Sequence, residues 1–97
     1  MTIGVSHDLD TGNVVLVDAA ARQIYDFAPQ RAQQLAAQLR AAAVAEGRVL
    51  VIAKADDGRE LRIGGSAENA IIMGDDLDRN ADLGMTIRSR IVASRRI

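Results

Sequence analysis

Tyr25 and Phe27 are the only aromatic side chains in this chain of 97 residues, and tryptophan is absent. Aromatic rings make the largest single contributions to a core. This core must therefore be assembled from aliphatics, 25 Ile, Leu and Val residues with 17 alanines beside them. A chain of this length buries only about two-thirds of its unfolded surface, and each alanine adds little apolar area. Two solutions are open. Either alanine lets backbones approach closely, or subunits share a core. The composition favours self-association, because small domains short of large side chains commonly complete their cores that way.

Other counts remove whole classes of chemistry. Cysteine is absent, which excludes disulfides, thiolate metal sites and thiol catalysis. A single histidine leaves no imidazole cluster for zinc. The formal net charge of −1 argues against a globally basic nucleic-acid binder. No apolar run approaches a membrane span, and no charged start followed by an apolar stretch suggests a secretory signal. The expectation is one small domain over residues 1–97, located in the cytoplasm.

Along the chain, Ile3, Val5, His7 and Leu9 alternate with polar or small residues, the period of a half-buried strand. Asp10-Thr11-Gly12-Asn13 supplies turn chemistry, and Val14-Val15-Leu16-Val17 is a β-branched run. Together they predict a hairpin over about residues 3–17. Gln23–Phe27 reads as a third short strand. Pro29 suits a first helical position, and Ala32, Leu35, Ala36, Leu39, Ala42 and Ala43 form one apolar stripe at helical spacing. This predicts a helix over 29–46 ended by Gly47. Arg48–Lys54 and Glu60–Ile63 flank Asp56-Asp57-Gly58-Arg59 and predict a second hairpin, with Gly64-Gly65 breaking its last strand.

Residues 67–73 fit either a short helix capped by Ser66 or a strand, with strand character favoured at Ile71–Met73. Residues 74–84 read as an acidic loop. Met85, Ile87, Ser89 and Ile91 alternate with Arg88, Arg90 and Val92, predicting a last strand with a basic outer face and Ile97 as a terminal anchor. The fold class predicted is α+β: a mainly antiparallel sheet of five or six strands carrying one principal helix at about 29–46.

Candidate sites are few. Asp78, Asn80 and Asp82 have the opening spacing of a calcium loop. Leu83 and Ser89 then stand where glycine and a bidentate Glu are required, so an exposed acidic loop is the better reading. Gly64-Gly65-Ser66 resembles an anion-cradling junction, but it lacks a phosphate-loop pattern and reads as a plain turn. Ser6-His7-Asp8 has the residue types of a hydrolytic triad, yet neighbours on a strand point to opposite faces. No catalytic, cofactor or metal site is assigned.

Charge is segregated. Residues 1–82 carry 13 acidic and 8 basic side chains, a balance of −5, whereas residues 83–97 carry Arg88, Arg90, Arg95 and Arg96 and no acid. Four arginines are able to contact phosphates, but aromatic stacking partners are missing from the segment. Pairing with acidic surface of the same chain or of a partner is favoured over nucleic acid. The glutamine-lined, alanine-rich helix is a second candidate seam.

The segment Phe27-Ala28-Pro29-Gln30-Arg31-Ala32-Gln33-Gln34-Leu35-Ala36-Ala37-Gln38-Leu39 resembles the phenylalanine-x-proline helix opening of small uncharacterised proteins of actinobacteria and their phages. It departs from that pattern at Ala28, where Thr or Ser is commoner. The resemblance implies a small accessory protein and carries no catalytic residue. The reading is a non-enzymatic, self-associating module without cofactors that acts by binding another protein. Arg88, Arg90, Arg95 and Arg96 are its candidate partner-binding residues. The alternative is a small nucleic-acid-binding regulator using the same arginines.

Overall fold

Two hairpin turns, each with glycine at its bend, organise the strands. The computed structural model describes residues 3–46 and 48–95. Gly12 sits at φ +77°, a backbone conformation glycine adopts without steric cost. The turn it forms joins β1 (Ile3–His7) to β2 (Val14–Asp18), paired antiparallel with His7 opposite Val14. A second reversal at Ala19–Arg22 leads to β3 (Gln23–Phe27), with Val14 opposite Phe27. The alternation expected from Ile3 holds to His7 but not to Leu9, which is exposed beyond the strand, and β2 buries Val14 and Leu16 on one face with Val15 and Val17 half-buried on the other. Tyr25 and Phe27 join the buried face, and Ile3 and Val5 pack against it.

The helix α1 spans Pro29–Glu46, the predicted range, and Ala32, Leu35, Ala36, Leu39 and Ala43 are its buried stripe. Ala42, assigned to the same stripe, is only partly buried. Gly47, expected to end this helix, lies outside the described residues, as do Arg96 and Ile97. Next come β4 (Arg48–Lys54) and β5 (Glu60–Ser66), an antiparallel hairpin closed through Asp57-Gly58.

Three expectations are corrected. The strands form two small antiparallel sheets, of three and two strands, and not one sheet of five or six. The hairpin turn meets the first sheet where the Asp56 N–H donates to the Asp26 carbonyl at 3.0 Å. Gly64-Gly65 does not break β5, which continues to Ser66. There both glycines pair with β4, Gly64 opposite Leu50 and Gly65 opposite Val49.

The largest correction lies at the C-terminal end. The strand at 71–73, the loop at 74–84 and the strand at 85–92 are all one helix, α2, running from Ala67 to Arg95. Ser66 caps it, its Oγ accepting the Asn69 N–H at 3.2 Å, as the helical reading of 67–73 requires. The buried positions Ala70, Gly74, Leu77, Ala81 and Gly84 recur every three or four residues, which is helical spacing. Four of these five are alanine or glycine, so hydrophobicity alone does not reveal the stripe.

α1 and α2 pack antiparallel. Gly74 lies against Ala36 and Arg40, whereas Gly84, ten residues on, lies against Pro29. Arg40 spans the pair, reaching Asp75 at 2.9 Å and Asp78 at 2.6 Å. Small residues at the crossing let the backbones come close, so alanine fills this core by proximity and not by area. Leu16, Leu39 and Leu77 are fully buried between helices and strands, each contributing about 1.5–3 kcal/mol by burial.

Candidate interaction surface

The 29 residues of α2 make a rod about 43 Å long, which accounts for most of the molecule's 50 Å long axis. Its buried positions stop at Gly84. The following three turns, through Arg95, contain no buried residue, only half-buried Met85, Ile87 and Ile91 among exposed neighbours. The expected structural role for this segment as a packed strand is therefore replaced by a helical extension of the core.

Among the described residues, the candidate arginines are not gathered into one patch. Arg88 is committed to the β1–β2 turn, where its Nε donates to the Thr11 carbonyl at 3.1 Å and its other end donates to the Asn13 side chain. Arg90 and Arg95 are exposed. Arg88 and Arg95, seven residues apart, share a side of the helix, and Arg90 points away from both. Arg96 lies outside the described residues.

Sequence reasoning missed a stripe on the exposed side of α2. Ile72 (53% exposed), Asp76, Arg79, Leu83 (46% exposed) and Arg90 follow one another at intervals of three, four or seven, so they share a face. Asp76 accepts from Arg79 at 3.3 Å, and the side chains of both keep much of their surface in solvent. The only available signal was the three-four spacing of Ile72, Asp76, Arg79 and Leu83, hidden while 74–84 read as a loop.

The other candidates resolve into local structure. Asp78, Asn80 and Asp82 lie on the helix, where a step of two residues turns a side chain about 200°, so they do not converge on one cation. Asp78 pairs with Arg40. Asn80 spends its amide nitrogen on the Asp76 carbonyl at 2.8 Å. Its oxygen therefore faces His7, whose Nδ1 donates to it at 2.8 Å. His7 thus ties β1 to α2, while Ser6 points to the opposite, exposed side of the strand. Among the described residues, no three of His, Cys, Asp and Glu come together as metal ligands.

A cleft of about 300 Å³ opens between β1, the end of the β4–β5 hairpin and the first turns of α2. Ile3, Val5, Val49, Ile63, Ala70 and Met73 make its walls apolar, and Ser66, Asn69 and Asp76 stand among them. On the outer side of the hairpin, Leu50 and Ile52 are 71% and 54% exposed.

Ionic contacts at the surface are local braces. Arg59 stacks over the Tyr25 ring at 4.7 Å, donates to Gln23 and the Ile24 carbonyl, and holds Asp57 at 2.7 Å. The Arg59 backbone N–H, and then its side chain, hydrogen-bond the Asp57 carboxylate and hold its pKa below the usual carboxylate value. Hydrogen bonds from the Arg40 guanidinium to Asp75 and Asp78 raise the pKa of Arg40.

Among the described residues, no helix is long and apolar enough to cross a membrane. Compared with protein-family models, with curated proteins and with solved structures, the chain matches no family, no curated protein and no solved structure.

Proposed function

We propose that this protein is a non-enzymatic interaction module that self-associates and acts by binding another protein. The observation that carries the reading is the end of α2. Beyond Gly84 the helix holds no buried residue: Met85, Ile87 and Ile91 are half-buried and Val92 is exposed, so these aliphatics gain only part of their burial within the protomer. Aliphatics at these positions, with exposed Arg90 and Arg95 between and beyond them, suit a surface completed by a protein partner. Exposed Leu50 and Ile52 on the hairpin add a second patch of the same character. In the cytoplasm, the expected compartment, such a module works without cofactors.

The test is capture from lysate of the source cells, treated with nuclease, using the immobilised full chain and an Ile91→Ser variant. A protein retained by the parent chain and lost with the variant supports the reading. Identical profiles, or retention only before nuclease treatment, overturn it. Binding to nucleic acid is the second reading, favoured only by the absence of acids beyond Asp82. It requires a mobility shift at low salt that falls steeply as salt rises, because phosphate contacts release counterions.

A further inference from the structure

We infer that the module's self-association is a homodimer, docked through antiparallel pairing of the outer faces of two α2 helices about a two-fold axis at Leu83. The inference deepens the module reading and rests on it.

The charges of α2 are divided along its length. Glu68, Asp75, Asp76, Asp78 and Asp82 precede Leu83, with Arg79 the lone base among them, and Arg88, Arg90 and Arg95 follow it with no acid. The helix dipole favours such an order, but its effect is confined to the first and last turns. It accounts for Glu68 and Arg95, while Asp75 and Asp78 answer Arg40 and Arg88 holds the β1–β2 turn, which leaves Asp76 with its neighbour Arg79, and Arg90, on the outer side of the helix. A two-fold axis relates these. In an isologous contact, residue i meets j and j meets i, so an axis at Leu83 lays Asp76 of each helix along Arg90 of the other.

The register is specific. Asp76 and Arg90 both lie seven residues from Leu83, about 10.5 Å along the axis on either side, and all three share one side of the helix, Leu83 and Arg90 exposed and Asp76 half-buried where it borders the cleft. Antiparallel pairing therefore sets each Asp76 opposite an Arg90, twice over, with the two Leu83 side chains in contact between them. Arg79 and Ile87, each four residues from Leu83, then meet across the seam, the arginine stem covering the isoleucine. Parallel pairing would set Asp76 against Asp76 and Arg90 against Arg90, a like-charge arrangement that works against that alternative. The helical extension past Gly84, which the protomer's own core does not cover, supplies one half of each seam.

The experiment is a light-scattering concentration series on the full chain, with Arg90→Asp, Asp76→Arg and the double charge swap. The side chains involved are exposed or half-exposed, and far-UV circular dichroism checks that each variant folds. The expected result is a concentration-dependent dimer. Its dissociation constant rises at least about tenfold in each single variant, a loss of roughly 1.4 kcal/mol, and returns to within about threefold of the parent in the double swap. Leu83→Asp, which alters no ion pair, is expected to abolish the dimer. A parent chain that stays monomeric to high micromolar concentration overturns the inference and the self-association it rests on; if it still captures a protein through Ile91, binding of another protein stands alone. A dimer indifferent to the single reversals, or a folded double swap that does not recover, overturns the register.

Discussion

Gly84 and Gly74 occupy the same helix and the same buried stripe, yet replacing each by alanine is expected to move stability in opposite directions. In a helix interior, alanine is favoured over glycine by about 1 kcal/mol, so any loss must come from packing. At Gly84 a Cβ would run into the Gly12 carbonyl and stand 3.2 Å from Pro29 Cγ. Neither neighbour is a flexible chain end. The Gly12 turn is closed by the Gly12 N–H donating to Asp8 and the Asp8 N–H donating to Asn13, both at 2.8 Å.

Overpacking of this kind costs about 1–3 kcal/mol. Pushing α2 off the turn also releases Arg88 from the Thr11 carbonyl, worth about 0.5–1.5 kcal/mol. After the propensity gain, the net loss for Gly84→Ala is about 2 kcal/mol, or a midpoint lowered by roughly 10 °C in a domain of this size. At Gly74 the added Cβ would meet Ala36 O at 3.4 Å and Arg40 Cγ at 3.5 Å, ordinary contacts. Gly74→Ala should therefore gain about 0.5–1 kcal/mol. Thermal melts followed at 222 nm by circular dichroism, with urea titrations beside them, measure both. A Gly84→Ala protein that melts at or above the parent temperature would refute the close approach of α2 to the β1–β2 turn.

Two further outcomes are expected. The folded-state pKa of Asp57 is depressed by Arg59, so its ionised form stabilises the fold at pH values above the unfolded carboxylate pKa of about 3.9, and this contribution is lost as pH falls through the lower folded value; Asp57→Asn should flatten the stability profile in that acid range and leave the salt-dependent Arg40 contacts unchanged. A chain ending at Ser89 keeps Arg88 on the β1–β2 turn but removes the last turns of α2, which hold no buried residue; at a dilution where the full chain is monomeric by light scattering, it should melt cooperatively within about 4–8 °C of the full chain, the equivalent of 1 kcal/mol, and a larger fall in that side-by-side melt would show that the helix end packs on its own core.

What was legible in the sequence was local. Alternation of Ile3, Val5 and His7, the β-branched run at Val14–Val17 and the turn glycines determined the first hairpin, because a strand with one buried face has a fixed period and its reversal demands particular backbone angles. Pro29 and the leucine–alanine stripe behind it determined α1 for the same kind of reason. The tertiary structure alone decided α2. Its buried face is built mostly from Ala70, Gly74, Ala81 and Gly84, residues whose burial depends on how near another backbone comes and not on their own hydrophobicity, so glycines read as the bounds of a loop are contact points. Met85 and Ile87 have the spacing of a strand face, but on the helix a step of two residues sets them about 200° apart, and only Ile87 and Ile91, four apart, share a side. The exposed stripe of Asp76, Leu83 and Arg90 depended on that same decision. Residues seven apart face one way on a helix and opposite ways on a strand, so the candidate seam exists only once long-range packing has made 67–95 continuous.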